Sequence, residues 1–187
     1  MLKNDNVLDR SLARRLKERD PQALAEVYDR YGRLLYCLIY RIVRDRTMAE
    51  DLTQETMLRI WNRVSGFDES RASLTTWMAK IARNQAIDYL RSRAGRETVP
   101  VEIEGMPAVS ADFEEELDAG RRLDFLRKGF RLLTAEQKLV LRLAYFGGLT
   151  QSEISQHVDR PLGTVKTWVR AALKTLRAEA SCLSPSE

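Results

Sequence analysis

The chain has 187 residues, 44% of them hydrophobic, with a net charge of +4. That length admits one medium domain or two small ones. Abundant Leu, Ala, Arg, Glu and Gln with little Val-Ile-Thr alternation predicts an all-α protein. His157 stands alone and Cys37 and Cys182 are the only cysteines, so most acid-base and metal chemistries are excluded.

Residues 1–20 are charged with scattered Leu and predict a short helix. The N-terminus is polar and no apolar run approaches membrane-spanning length, so a cytoplasmic chain without membrane contact of its own is expected. Asp20-Pro21 is a strong helix start, an N-cap followed by a first-turn proline. Leu24, Val27, Tyr28, Tyr31, Leu34, Leu35, Leu38, Ile39, Ile42 and Val43 then recur at helical spacing, as one long amphipathic helix or two. Cys37 sits among them and is expected to be a core thiol. A further helix begins near Thr47, with Met48, Leu52, Met57, Leu58, Ile60 and Trp61 as its apolar positions. Its Glu50, Asp51, Gln54 and Glu55 form an acidic-polar face that suits a protein partner, or else an idle solvated face.

The run from Ser65 to Arg71 breaks the periodicity and reads as a loop. With Phe67 and small polar residues such as Asp68 and Ser70, it is either a cradle for an unstacked base or a plain connection whose Phe67 plugs the core. A helix follows over 73–92. Leu74, Trp77, Met78, Ile81, Ala82 and Tyr89 are spaced to face inward, and Lys80, Arg83, Asn84, Ile87 and Arg91 fall on the other side. A basic, amide-bearing stripe suits nucleic acid, although charge alone fits a solvated face equally well.

Residues 94–112 lose all periodicity and contain Gly95, Pro100, Gly105 and Pro107, the marks of a linker. Glu97 to Asp118 holds eight acidic residues and no basic one, which leaves 31 Lys+Arg against 19 Asp+Glu elsewhere. Two basic ends flank an acidic middle, and basic ends suit a phosphate backbone. Helix resumes from Glu114 to Leu133. Thr134-Ala-Glu-Gln137 and Thr150-Gln-Ser-Glu153 both have capping-box form and open two more helices, to Phe146 and about Val158. Gly147-Gly148 ends the first, Asp159-Arg160-Pro161 turns after the second, and a last helix runs to about Ala180. Leu149, Ile154, Val158, Val165, Val169, Ala172 and Leu173 are the expected inward positions of a helix-turn-helix. Thr164, Lys166, Thr167, Arg170, Lys174 and Arg177 lie off that stripe, where a recognition helix meets a major groove.

The segments Ala49-Glu-Asp-Leu-Thr-Gln-Glu-Thr-Met-Leu-Arg-Ile-Trp61, Ile81-Ala-Arg-Asn-Gln-Ala-Ile-Asp-Tyr-Leu-Arg91, Leu149-Thr-Gln-Ser-Glu-Ile-Ser155 and Gly163-Thr-Val-Lys-Thr-Trp-Val-Arg170 resemble the extracytoplasmic-function (ECF) sigma factors of bacterial RNA polymerase. The likeness is collinear over roughly residues 20–180. It implies two small helical domains, residues 1–93 and 119–187, joined by a flexible acidic linker over 94–118. It also implies that Glu50, Asp51, Gln54 and Glu55 dock on the β′ clamp helices of the polymerase core, with Leu52 and Trp61 supporting the fold. The loop with Phe67, Asp68 and Ser70 would pocket a flipped minus-ten base, while Lys80, Arg83, Asn84 and Arg91 meet the duplex edge. Asp88 matches a characteristic, structural position. Thr164, Lys166, Thr167, Arg170 and Lys174 would read the minus-thirty-five element, with the β flap as a second contact on the core. The linker would thread toward the RNA exit path. Implied partners are core polymerase, promoter DNA and an anti-sigma factor; no cofactor is implied. Ala171 and Trp168 depart from the family's usual residues, so the promoter sequence does not transfer. The runner-up is a stand-alone helix-turn-helix regulator. An enzyme is disfavoured by the lone histidine and the lack of a glycine-rich phosphate loop.

Overall fold

The structure, a computed structural model, describes residues 2–94 and 129–181. The chain divides into two units, Met1–Val99 and Pro100–Glu187. Residues 95–118 of the expected linker lie outside the described residues. So does most of the predicted helix from Glu114 to Leu133, of which a helical turn at 129–131 is described.

In the first unit, α1 (Leu2–Lys17), α2 (Pro21–Val43) and α3 (Arg46–Arg63) lead through a 3-10 turn, Val64–Gly66, to α4 (Leu74–Ala94). Asp20 caps α2 by accepting the Gln22 N–H at 2.9 Å, with Pro21 in the first turn. Arg15 bonds Asp20 at 2.8 Å and Glu26 at 2.7 Å, which ties the end of α1 to the start of α2. The Arg15 guanidinium holds the Asp20 carboxyl below its ordinary range. The apolar run thus forms one helix. It ends at Arg44, whose left-handed backbone (φ 58°) returns its N–H to Tyr40. Asp45 then caps α3 through the Met48 N–H at 3.1 Å.

The core joins Leu16 of α1, Val27, Leu35 and Ile39 of α2, Leu52, Met57 and Ile60 of α3, and Leu74, Met78 and Ala82 of α4. Each large apolar side chain buried this way contributes about 1.5–3 kcal/mol. Polar side chains are buried with them, including Thr56 and Gln85: the Thr56 hydroxyl donates to Gln85 Oε1 at 2.9 Å, between α3 and α4.

Four apolar positions differ from expectation. Leu58 is 59% exposed, because the inward face of α3 runs through Ala49, Leu52, Thr53, Thr56 and Ile60, and Leu58 lies opposite Thr56. Tyr28 is 53% exposed beside buried Val27. Cys37 is half-buried at the edge of the α2 stripe. Ile87, expected outward with the basic residues, is buried within the run Gln85-Ala86-Ile87. There α4, which packs on α1, α2 and α3, is covered over a wider arc than one stripe.

In the second unit, α5 (Ala135–Tyr145), α6 (Gln151–His157) and α7 (Leu162–Ser181) form the helix-turn-helix and its supporting helix. Both capping boxes are complete. Thr134 and Gln137 exchange bonds at 3.3 and 3.1 Å, and Thr150 and Glu153 at 3.2 and 2.6 Å. At the end of α5 a Cβ on Gly147 would lie 2.7 Å from the Leu143 carbonyl oxygen, and Gly148 is left-handed at φ 65°. The Leu149 N–H then reaches back to Leu143 O at 3.2 Å, a closure that only this glycine pair permits without strain. Val140, Leu143, Ile154, Val165 and Val169 make the core, flanked by Leu139, Leu149, Val158 and Trp168. Leu173, expected inward, is 40% exposed: it sits at the rim of a stripe centred on Val165, Val169 and Ala172.

Candidate nucleic-acid and partner surfaces

The turn after α6 aims α7. Asp159 is left-handed at φ 50°, and the Arg160 N–H returns to Ser155 O at 3.1 Å. The Ser155 hydroxyl bonds Arg160 O at 2.6 Å, and Pro161 O accepts from Thr164 and Val165 as α7 begins. With Val165, Val169 and Ala172 buried, Lys166, Thr167, Arg170, Lys174 and Arg177 are held exposed, and Thr164 is half-buried beside them. Lys166 and Arg170 lie one turn apart, about 6 Å along the axis, on the N-terminal half of the helix. The Thr167 hydroxyl donates to Gly163 O at 2.9 Å, so what it offers outward is its methyl group and oxygen lone pairs. Trp168 packs against the core and not on the basic face.

On the first unit, Lys80, Asn84 and Arg91 are exposed and Arg83 is half-buried along α4. Arg83 Nη1 donates to Asn84 Oδ1 at 3.3 Å. The preceding loop is ordered by its own side chains. Asp68 Oδ1 accepts from the Ser70 hydroxyl at 2.7 Å and the Ser70 N–H at 2.9 Å. These bonds, the hydroxyl first, hold the Asp68 carboxyl below its ordinary range. Ser73 opens α4 by accepting the Thr76 N–H at 3.2 Å. Asp68 and Ser70 are exposed, but Phe67 is only 5% exposed. Its ring packs 5.3 Å from Trp77, with the Lys17 ammonium 5.7 Å from its centroid. Of the two readings of this loop, Phe67 follows the core plug: an aromatic beside Val64 and Leu74 gains more from burial than from facing water.

The third surface is the acidic face of α3. Glu50, Asp51, Gln54 and Glu55 are all exposed. Glu55 is engaged by Arg59 one turn on, at 2.7 Å. Glu50, Thr53 and Gln54 also line an open groove of about 610 Å³ whose other wall is α2, through Tyr28, Asp29, Gly32, Arg33 and Tyr36. The α2 wall was missed in the sequence. Its signal is the one-turn spacing of Tyr28, Gly32 and Tyr36, with a side-chain-free position between two aromatics. The Trp61 end of α3 is held by Arg19, which bonds Trp61 O at 2.6 Å and stacks 5.3 Å from its ring. Among the described residues no group of three or more His, Cys, Asp or Glu is placed to hold a metal, and no helix is long and apolar enough to cross a membrane.

Residues 27–96 match the family described as Sigma-70 region 2, and residues 130–178 match Sigma-70, region 4. The chain therefore carries, in order, two domains of a sigma factor. Across nearly its full length it is similar to "ECF RNA polymerase sigma factor SigK" of Mycobacterium tuberculosis (strain ATCC 25618 / H37Rv), at 34% identity over 94% of each chain. The protein of the same name in Mycobacterium ulcerans (strain Agy99) is 35% identical over 97% of this chain and 94% of its own. The chain belongs to the ECF RNA polymerase sigma factors. Similar solved structures include Rhodobacter sphaeroides SigE in complex with the anti-sigma ChrR, at 28% identity, covering 93% and 98% of the two chains with a TM-score of 0.49. The RsbN-BldN complex is another, at 25% identity, 89% and 97% coverage and a TM-score of 0.39.

Proposed function

We propose that this protein is an alternative sigma factor that binds core RNA polymerase and directs initiation at a particular set of promoters, with no catalysis of its own. Its place of action is the cytoplasm, with the polymerase, and an anti-sigma factor holds it in check, as family membership implies. The observation that carries the reading is the pairing on one chain of a helix-turn-helix with a basic exposed face and a helical unit with both an acidic face and a basic stripe.

The residues divide the work. Residues 1–93 form the region 2 domain, 94–118 the linker and 119–187 the region 4 domain. Glu50, Asp51 and Gln54 dock on the β′ clamp helices, with the groove beside them receiving part of that partner; Glu55 contributes alongside its Arg59 pair. Asp68 and Ser70 shape the loop that takes an unpaired minus-ten base, with Phe67 as its anchor. Lys80, Arg83, Asn84 and Arg91 meet the adjoining duplex and phosphates. Thr164, Lys166, Thr167, Arg170 and Lys174 read the minus-thirty-five element, and the same domain contacts the β flap. Arginine and lysine near a helix N-terminus suit guanine edges, and threonine methyl groups suit thymine.

Run-off transcription on genomic fragments, with core polymerase added, tests the reading and yields the promoter. Specific transcripts only when chain and core are both present support it. Tight sequence-specific binding by the chain alone, with no polymerase-dependent transcript, replaces it with a stand-alone regulator.

A further inference from the structure

The minus-ten loop is not a free-standing element: α1 forms its inner wall. Asp9 of α1 is only 7% exposed, an unusual place for a carboxylate. One of its oxygens accepts a bond from the Tyr31 hydroxyl of α2. The other faces the Thr75 hydroxyl at 3.5 Å, in the first turn of α4 and directly after the loop. Next to it, Arg10 meets Glu69 of the loop at 3.5 Å. One helical face further along, Lys17 covers the buried ring of Phe67. The residual space among Asp9, Arg10, Phe67, Glu69 and Ser73 is about 20 Å³, room for a single water and far too little for a nucleobase. On this side, therefore, α1 closes off the space behind the loop.

We propose that α1 is a positioning element for minus-ten recognition, and that Asp9 is its strut, fixing the loop against α2 and α4 without touching DNA. The inference rests on reading residues 67–91 as the minus-ten surface. Two neighbouring contacts carry less of the load. The Arg10–Glu69 pair is exposed on both sides, 63% and 59%, so solvent screens it. The Lys17–Phe67 contact is a single, partly exposed cation over a ring. Asp9 is the one member that is buried and reaches two other helices at once. The Tyr31 phenol, half-buried and bonded to that carboxylate, is pushed up to about 12, so it remains a donor at any physiological pH. Removing Asp9 leaves the Tyr31 and Thr75 hydroxyls without their acceptor, which is costly for a buried donor, whereas a substitute that keeps the acceptor is not.

The test uses full-length protein with core polymerase on a duplex promoter and on its single-base minus-ten variants. The readout is the ratio of initiation between the native and substituted minus-ten sequences, measured alongside affinity for core. Asp9→Ala should flatten that ratio by about tenfold, the effect of losing one buried hydrogen bond's worth of positioning, with core affinity nearly unchanged. Asp9→Asn should restore it, because the amide oxygen still accepts from Tyr31 and the amide nitrogen can donate to Thr75. Thr75→Val, which keeps shape and cannot threaten the fold as a buried truncation does, should flatten the ratio by about threefold. Asn84→Ala serves as the control on the reading surface. If Asn84→Ala flattens the ratio while Asp9→Ala and Thr75→Val keep it native, the positioning role is overturned and the minus-ten reading stands. If Asp9→Ala loses initiation and core affinity in step while Thr75→Val behaves as native, Asp9 merely holds the fold, and the proposal again fails. If Asn84→Ala changes nothing either, the reading itself is wrong and the proposal goes with it.

Discussion

Truncation of Ile154 to Ala tests whether the helix-turn-helix core and the basic face of α7 act as one piece. Ile154 is fully buried on α6, packed among Val140 and Leu143 of α5 and Val165 and Val169 of α7. Truncations of this kind cost about 2–5 kcal/mol, the higher values where neighbours cannot collapse into the space. Here two of the neighbours belong to the helix that presents Lys166 and Arg170. Residues 129–181, at about 0.05–0.15 kcal/mol per residue, hold roughly 3–8 kcal/mol in total. The substitution therefore removes about a quarter or more of the unit's stability and, at the upper end, unfolds it. Amide exchange read peptide by peptide should show α5 to α7 losing protection while α2 to α4 keep theirs. Initiation should lose its dependence on the minus-thirty-five element. Lys166→Ala is the companion variant: it should lose the same dependence by about 1–3 kcal/mol if it reads a base, with exchange unchanged. Native protection and native minus-thirty-five dependence in Ile154→Ala would refute the idea that this core aims the reading helix.

Three further outcomes are expected. Asp51→Ala combined with Gln54→Ala should weaken core binding, seen by titration of labelled protein, while the melting temperature stays native because both side chains are exposed on α3. Normal core affinity in that variant would remove α3 from the docking surface. Ser70→Ala should let the Asp68 carboxyl rise toward its ordinary range, since the Ser70 hydroxyl is the main group holding it down; side-chain NMR titration reads this directly. The Tyr31 phenol is pushed up to about 12, chiefly by burial and then by its bond to Asp9. The folded chain therefore holds this proton more tightly than the unfolded one. Its contribution to stability is complete below about pH 10 and is lost as pH rises toward 12. The melting temperature of the native protein should fall more steeply across that window than that of Tyr31→Phe.

Residues with local causes were the most legible in the sequence. Asp20-Pro21, the two capping boxes, Gly147-Gly148 and the Asp159 turn each act through bonds within a few residues, and each appears in the structure where the chain pattern puts it. What escaped depends on neighbours distant in sequence. Thr53 and Thr56 are not among the apolar positions expected of α3, yet both are buried: the first hydroxyl bonds Ala49 O within the helix, and the second is met by Gln85 of α4. Ile87 falls angularly among basic residues, and only the packing of three helices on α4 explains its burial. Leu173 and Leu58 err the other way: apolar residues at or beyond the rim of a stripe, which periodicity alone assigns inward.

The same distinction separates the candidate sites. Lys166 and Arg170 were recognisable because their exposure follows from the helix period once Val165 and Val169 are inward, so a one-dimensional pattern suffices. The groove beside Glu50 and Gln54 needs two helices, and its α2 wall had no signature beyond the Tyr28, Gly32, Tyr36 spacing. The contacts of Asp9 need three: Tyr31 and Thr75 lie on other helices, 22 and 66 residues away in the chain. A DNA-reading side chain can be identified by what it leaves uncovered, whereas the residue that aims it must be found by what it touches. On the positioning role proposed for Asp9, part of the loop's specificity would lie in a helix that precedes the 27–96 segment matching region 2, where Asp9, Arg10 and Lys17 all fall.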